Sequence, residues 1–289
     1  MSMPEIDRRR RLIFRGNAAA IGGRIVRPTD VVLESHVSSS LTVAGGRSTA
    51  SGTKINFDPY VFVDSAATSA EGQYDDLDQH IALTHRQVTA DALTTSTRVW
   101  AEVHGLRAGL KPVLTVKALR GSLTAKSPVT SGEPSIGVDD SSTIQGVEIG
   151  GCPLNVKVSP AVYQRYDTYS KLMTAIDDPG SMKTLAPFLL TQSALHGAPV
   201  PDKGRLLRSD STIYATVVES VQWADPKRVF PGATITDHTV RVPGFGKILF
   251  GELLITSLYR RLTMLRLELG SPEGGDAAFA EVETNGIWP

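Results

Sequence analysis

The sequence predicts a mainly β protein, a β-sandwich or stacked antiparallel β-sheets, with a helical insertion at about residues 160–195. Three observations predict it. The 289 residues include 26 Gly and 17 Pro, slightly above ordinary usage of about 12%. With many Thr, Ser and Val, that composition favours strands joined by tight turns. TSTRVWAEVHGLRAGL alternates with a period of two, Val99, Ala101 and Val103 facing one way and Arg98, Trp100, Glu102 and His104 the other, as a half-buried strand does. A strand–turn–strand unit also occurs three times, starting at His104 (HGLRAGLKPVLTV), Gln145 (QGVEIGGCPLNVKV) and His238 (HTVRVPGFGKILF).

Residues 1–16 read as a basic arm with four consecutive arginines, Arg8 to Arg11, and then Arg15; residues 17–289 read as a single domain. GGRIVRP and VVLESHV have strand character, and SSSLTVAGG ends in a glycine turn. INFDPYVFVDSAA alternates around Tyr60, Phe62 and, more loosely, Val63. In the three repeats, short strands (Leu106-Arg107-Ala108, Val147-Glu148-Ile149, Val240-Arg241-Val242) meet turns at Gly109, Gly150-Gly151 and Gly244. Gly150-Gly151 suits a two-residue hairpin whose central positions both need positive φ. The unequal spacing of the copies excludes a simple solenoid.

SPAVYQRYDTYSKLMTAID sets Val162, Tyr166, Tyr169 and Met173 at helical spacing, with Ser159 as N-cap and Pro160 at the first helical position. Pro179-Gly180 is expected to break this helix, and SMKTLAPFLLTQSAL to add a second, kinked or divided at Pro187. Strands resume after Ser211 with STIYATVVESVQW, TITDHTVRV and KILFGELLI. RRLTMLRLELG fits helical and strand periods equally, and its place among turn-rich strands favours a strand.

Thirty basic and thirty acidic side chains give zero formal charge. That balance lacks the basic surplus usual in nucleic-acid binders and removes one brake on self-association. A single cysteine, Cys152, excludes an intrachain disulfide and a four-cysteine zinc site. Arg15 and Asn17 interrupt the apolar run after Arg8–Arg11, so no cleaved signal peptide is expected, and no stretch has a membrane helix's apolar length. The expected location is the cytoplasm, or outside it by a route without a cleaved signal.

The chemical motifs are incomplete. The glycines of Gly244-Phe245-Gly246 and Gly251 lack the spacing and following helix of a dinucleotide fingerprint, and no Lys-Ser/Thr pair makes a P-loop. Ser51 and Lys54 match S-x-x-K, but strand-like sequence follows, Ser209-Asp210-Ser211 is an imperfect second element and no K-T-G exists. Cys152 reads as a small turn residue beside Pro153. Glu71, Asp75, Asp76 and Asp78 lie near His80 and His85, without EF-hand spacing or a helical zinc pair. A solvated loop is expected there, and polar strand-face roles for His104 and His238.

No catalytic residue, metal ligand or cofactor is assigned. The leading reading is a non-catalytic structural or interaction protein that forms homo-oligomers. Arg8, Arg9, Arg10, Arg11 and Arg15 of one copy would meet Glu273, Asp276, Glu281 and Glu283 of another, a head-to-tail contact that propagates. The alternatives are a ligand- or glycan-binding module using Trp100, Trp223 and Trp288, and a hydrolase using Asp75, Asp78 and a histidine.

TIQGVEIGGCPLNV, VPGFGKILFGELLI and RRLTMLRLEL, with TTSTRVWAEVHGL before them, resemble the bacterial surface proteins called choice-of-anchor P. The resemblance covers about half the chain and implies a compact β-rich extracellular domain without catalytic residues. The chain departs from that pattern in its helical insertion and in showing no export signal or C-terminal anchor.

Overall fold

The computed structural model describes residues 13–27, 31–57, 60–75, 94–109, 113–128, 133–190, 208–209, 212–270 and 274–287. Their seventeen strands form two antiparallel sheets. Sheet I contains β1 (Ile13–Arg27), β2 (Val31–Ser40), β10 (Arg208–Ser209), β11 (Thr212–Thr216) and β13 (Thr234–Thr236). It also contains β14 (Thr239–Val242), β15 (Gly246–Ile255), β16 (Tyr259–Leu269) and β17 (Gly274–Ile287). Sheet II contains β3 (Gly46–Phe57), β4 (Val61–Tyr74), β5 (Thr94–Ala108) and β6 (Leu114–Pro128), with β7 (Ser135–Val138), β8 (Thr143–Ile149), β9 (Cys152–Val158) and β12 (Val218–Trp223). The predicted sandwich of antiparallel sheets is thus present.

Sheet I runs β10-β11-β15-β16-β17-β1-β2, with β14 also on β15 and β13 on β14; sheet II runs β12-β9-β8-β6-β5-β4-β3, with β7 on β6. The sheets stack so that β2 lies over β3 and β4, β1 over β4 and β5, β17 over β5 and β6, and β16 over β6. The core between them is aliphatic, with Ile21, Val99, Leu119, Leu123, Leu265 and Phe279 fully enclosed.

Several strands reach 14 or 15 residues, far above the usual length of about 5–6, and a shared phase slip bends them. Inward positions on β5 run Val99, Ala101, Val103 and then resume at Leu106 and Ala108. On β6 they run Leu114, Val116 and resume at Leu119. The pairing ladders skip Lys54, Asp64, Gly105, Lys117 and Gly146, a straight row across sheet II. Sheet I skips Val37, Ala20, Ala280, Met264 and Gly251. On alternate strands of each row the residue has positive φ: Lys54, Gly105 and Gly146, and Val37, Ala280 and Gly251. A bulge-like extra residue bends a strand and tightens its twist, so the rows fold both long sheets around one core. The slip at Met264 also accounts for the double periodicity of RRLTMLRLELG, which is strand β16 as expected.

The hairpins form as the repeats predict. Gly150 and Gly151 both have positive φ and join Ile149 to Cys152. The third repeat turns through Pro243, Gly244 and Phe245, with Val242 facing Gly246. The described part of the helical insertion is α1 (Ala161–Arg165), α2 (Tyr169–Asp177), α3 (Pro179–Leu185) and a 3-10 turn at Ala186–Phe188. The single helix expected from Ser159 is divided. Pro160 is the N-cap of α1, Thr168 caps α2 through Lys171 N–H, and Asp178 caps α3 through Ser181 N–H. The helical stretch does break ahead of Pro179-Gly180, since α2 ends at Asp177, and Pro179 then starts α3, where a proline at N1 leaves no needed donor unused.

Other readings need correction. β1 starts at Ile13, so the end of the supposed arm is sheet: Phe14 is buried, edge-on to Tyr74. STIYATVVESVQW is two strands in two sheets. At Val217 the chain crosses over, its N–H donating to Gly251 and its carbonyl accepting from Ser159. TITDHTVRV is a hairpin, β13–β14. In INFDPYVFVDSAA, Tyr60 and Val63 are enclosed as expected, together with Val61 and Ala66, whereas Phe62 is half-buried beneath Arg107, 4.1 Å from its ring centroid.

Candidate interaction edge

The two lateral sides of the sandwich differ. On one, β10, β13 and β12 are edge strands of two, three and six residues, and the helical insertion packs on β7 and, through its 3-10 turn, on β12. Arg260 of β16, fully buried, anchors that insertion. Its Nη1 donates to the Tyr163 carbonyl at 3.3 Å and its Nη2 to the Tyr166 carbonyl at 2.6 Å, closing the C-terminal end of α1. Burial pushes the guanidinium down to about 10, so it stays charged at neutral pH. Tyr163 donates to the Thr216 carbonyl at 2.9 Å, and its burial raises the phenol's pKa.

On the other side β2 and β3, of ten and twelve residues, are the edges. Among the described residues no strand pairs with their outer backbone groups. No residue of β3 is buried, and its sequence, GRSTASGTKINF, is polar. The two most exposed large hydrophobics among the described residues are here: Val43, 68% exposed, in the turn between these strands, and Val32, 61% exposed, on β2. A bare edge presents unpaired N–H and C=O groups to any strand that approaches, and proteins commonly blunt such edges with lysine or a bulge. Lys54, at the phase slip of β3, is both.

The charged ends expected to bridge two copies are neighbours within one chain. β1 and β17 pair along their length, bringing Arg15 Nε to 3.9 Å from Glu283 Oε1. Glu281 accepts from the Thr263 hydroxyl at 2.8 Å, and Asp276 lies opposite Arg24. The described members of the set are thus gathered by strand pairing across almost the whole sequence, which charge patterning alone does not reveal. Arg8 to Arg11 and Glu273 lie outside the described residues.

The outer face of sheet II carries the other polar cluster. Glu102 contacts His104 and Arg120, and Arg120 sits 4.6 Å from the Trp100 ring centroid. Burial raises the Glu102 carboxyl, and its bonds to His104 and Arg120 outweigh that, holding it below the usual range. His104 thus has the expected strand-face role. Trp223 packs against the core from β12, four strands from β5, so it forms no row with Trp100; Trp288 lies outside the described residues. Asp75 accepts from the Thr94 hydroxyl at 2.6 Å, while Asp76, Asp78, His80 and His85 lie outside. No cluster of three or more His, Cys, Asp or Glu suited to a metal occurs among the described residues.

The remaining motifs resolve into backbone geometry. Ser51 and Lys54 lie on edge strand β3, with no helix to fold the lysine over the serine. The glycine hairpin encloses a shallow recess of about 370 Å³ next to Lys247. That lysine is bound to Glu268 at 2.7 Å, and Glu268 also binds Arg266. At Gly246 a side chain would strike the Glu268 carbonyl, which explains its glycine. Cys152 is a half-buried free thiol just after a turn. A larger groove, about 530 Å³, lies along α2 between Arg165 and Ser181. Among the described residues no helix is long and apolar enough to cross a membrane.

A β-sandwich with a helical insertion on one lateral side and two long bare edge strands on the other is the class of fold these residues define. The chain belongs to the family described as Domain of unknown function (DUF8256), whose model matches residues 12–256, through the end of β15. No curated protein matches it. Among solved structures it is similar to an active-site mutant of outer membrane phospholipase A from Escherichia coli, at 8% identity over 99% of this chain and 95% of that one, with a TM-score of 0.15. The Salmonella typhi outer membrane phospholipase dimer with bound calcium gives 7% identity, 94% and 91% coverage, and a TM-score of 0.14. Likenesses at this level carry no argument about fold or function.

Proposed function

We propose that this is a non-catalytic structural or interaction protein that self-associates by joining the bare β2–β3 side of one copy to that of another. The observation that carries the reading is the contrast between two long edge strands, bare on their outer side with Val32 and Val43 exposed on and between them, and the short edge strands opposite. Antiparallel pairing of like edges is a two-fold contact in which each copy supplies the same surface, and backbone hydrogen bonds supply the affinity. Zero formal charge leaves little net repulsion to oppose it.

Light scattering on a size-exclusion column tests the proposal. Thr49, Ser51 and Thr53 are exposed on β3, and replacing all three with Lys adds cations beside Arg47 and Lys54, so that paired edges repel. The wild type is expected to run as a dimer or larger and the triple variant as a monomer. A monomeric wild type, or a variant of unchanged mass, contradicts it. Deleting residues 1–12 separates this reading from association through charged termini, which would be lost with Arg8 to Arg11.

A further inference from the structure

His238 stands apart from the other polar groups of the fold. It occupies the tight turn between β13 and β14, where Thr236 faces Thr239 and Asp237 adopts φ +51°. The residue is only 1% exposed, yet among the described residues neither Nδ1 nor Nε2 has a hydrogen-bond partner, and the buried hydroxyl of Thr239 beside it has none either. Buried polar groups are almost always paired, so this turn concentrates unpaired ones where the chain closes on the sheet. The backbone is not at fault, because the His238 carbonyl accepts from Phe250 N–H at 3.0 Å.

Among the described residues the hairpin pairs with the sheet along one line only. β14 pairs with four residues of β15, Gly246 to Leu249, and β13 pairs with β14 alone. If the hairpin lifts, β15 keeps β16 but loses its other partner over those residues, and Val240, Val242 and Phe245, all buried, become exposed. The charged groups near His238 are Glu252 of β15, Arg266 of β16 and Asp237 of the turn itself. Glu252 is already engaged by Arg266 through two bonds of 2.6 and 2.8 Å, so little of its charge remains to compensate an imidazolium.

We propose that His238 is an acid-sensitive latch on the β13–β14 hairpin: the neutral ring lets the turn close, and protonation releases it. Burial lowers the affinity of the ring for a proton, with Glu252 and Asp237 opposing and Arg266 reinforcing that effect. The open hairpin returns the ring to water, where its pKa is about 6.5. The open form therefore binds more protons, and closure is unaffected above that value. Below it, closure weakens by as much as tenfold per pH unit until the folded ring itself titrates. Release bares a second sheet edge, on the side away from β2 and β3. The inference does not depend on self-association, since the latch acts within one chain.

Hydrogen exchange read by mass spectrometry, corrected for the intrinsic pH dependence of exchange, tests it from about pH 7.5 to about pH 5, spanning histidine titration. Protection across Thr234–Val242 and Gly246–Leu249 is expected to fall on acidification while that of β4 to β6 holds. In His238→Leu, protection is expected to be independent of pH. Unchanged protection in the wild type, or the same loss in His238→Leu, overturns the latch. Imidazole NMR gives a second reading that needs no variant: a pKa at or above the ordinary histidine value overturns it as well.

Discussion

The two lateral sides of the sandwich manage their edges in opposite ways. On the covered side, β12 and β13 are short, β7 is backed by α1, and a buried arginine ties the helices to sheet I. On the bare side the edge strands, of ten and twelve residues, are the longest edges among the described residues, and each carries a kink, at Val37 and at Lys54, whose cation also guards β3. The kinks differ too. Inside the sheets the positive φ falls mostly on glycine (Gly105, Gly146, Gly251), whereas at both edges a side chain bears it. Positive φ is costly for a residue with a Cβ and most of all for a β-branched one such as Val37. Covered edges are thus settled within one chain, while bare edges hold strain and unpaired backbone that a partner strand could use.

The covered side should be broken most readily at Arg260. Arg260→Ala removes both donors to the α1 carbonyls and leaves a cavity, so a loss of about 4 kcal/mol is expected in urea unfolding. A loss below about 1 kcal/mol would show that the insertion does not depend on that clamp. Gly251→Ala comes next. A Cβ there meets Val217 Cγ2 at 2.7 Å and Val218 Cγ2 at 2.8 Å, in a backbone of φ +62°, and about 3 kcal/mol is expected from crowding and strain together.

Asp167 gives a smaller, pH-dependent effect on the same side. Burial raises its carboxyl, but bonds from Lys171 at 2.7 Å and Ser135 at 2.5 Å outweigh that and hold it below its ordinary value. A carboxylate depressed in the fold stabilises above its unfolded pKa of about 3.9 and loses that contribution as pH falls through the depressed value. Thermal unfolding of Asp167→Asn should therefore match a less steep acid decline than the wild type shows. Equal acid slopes would remove Asp167 from the account. The smallest effect belongs to the bare side. Lys54→Gly relieves positive φ at a cost in unfolded-chain entropy, for a net gain of about 0.5 kcal/mol. It should also tighten association, because a cation leaves the edge.

Much of this fold was legible in local sequence. Period two placed β5, the Gly150-Gly151 pair fixed a hairpin, and the helical spacing after Ser159 located the insertion. What was hidden depends on distance or phase. RRLTMLRLELG fits two periods because its alternation slips at Met264, and STIYATVVESVQW conceals a crossing between sheets at Val217. Arg15 and Glu283 meet only because β1 and β17 pair, a contact no local pattern encodes. The bare edge was equally invisible, since an edge is defined by the strand that is missing beside it. His238 sits at similar places to His104 in the repeats, yet one is buried in a turn and the other exposed on a sheet face.

Hydrogen exchange of β2 and β3 at low and high protein concentration tests the central claim most directly. The account predicts that amides of Val31–Ser40 and Gly46–Phe57 gain protection as concentration rises, while those of β12 and α1 to α3 do not change. Protection that is independent of concentration along both edges, or that grows on the helix-covered side, would contradict it.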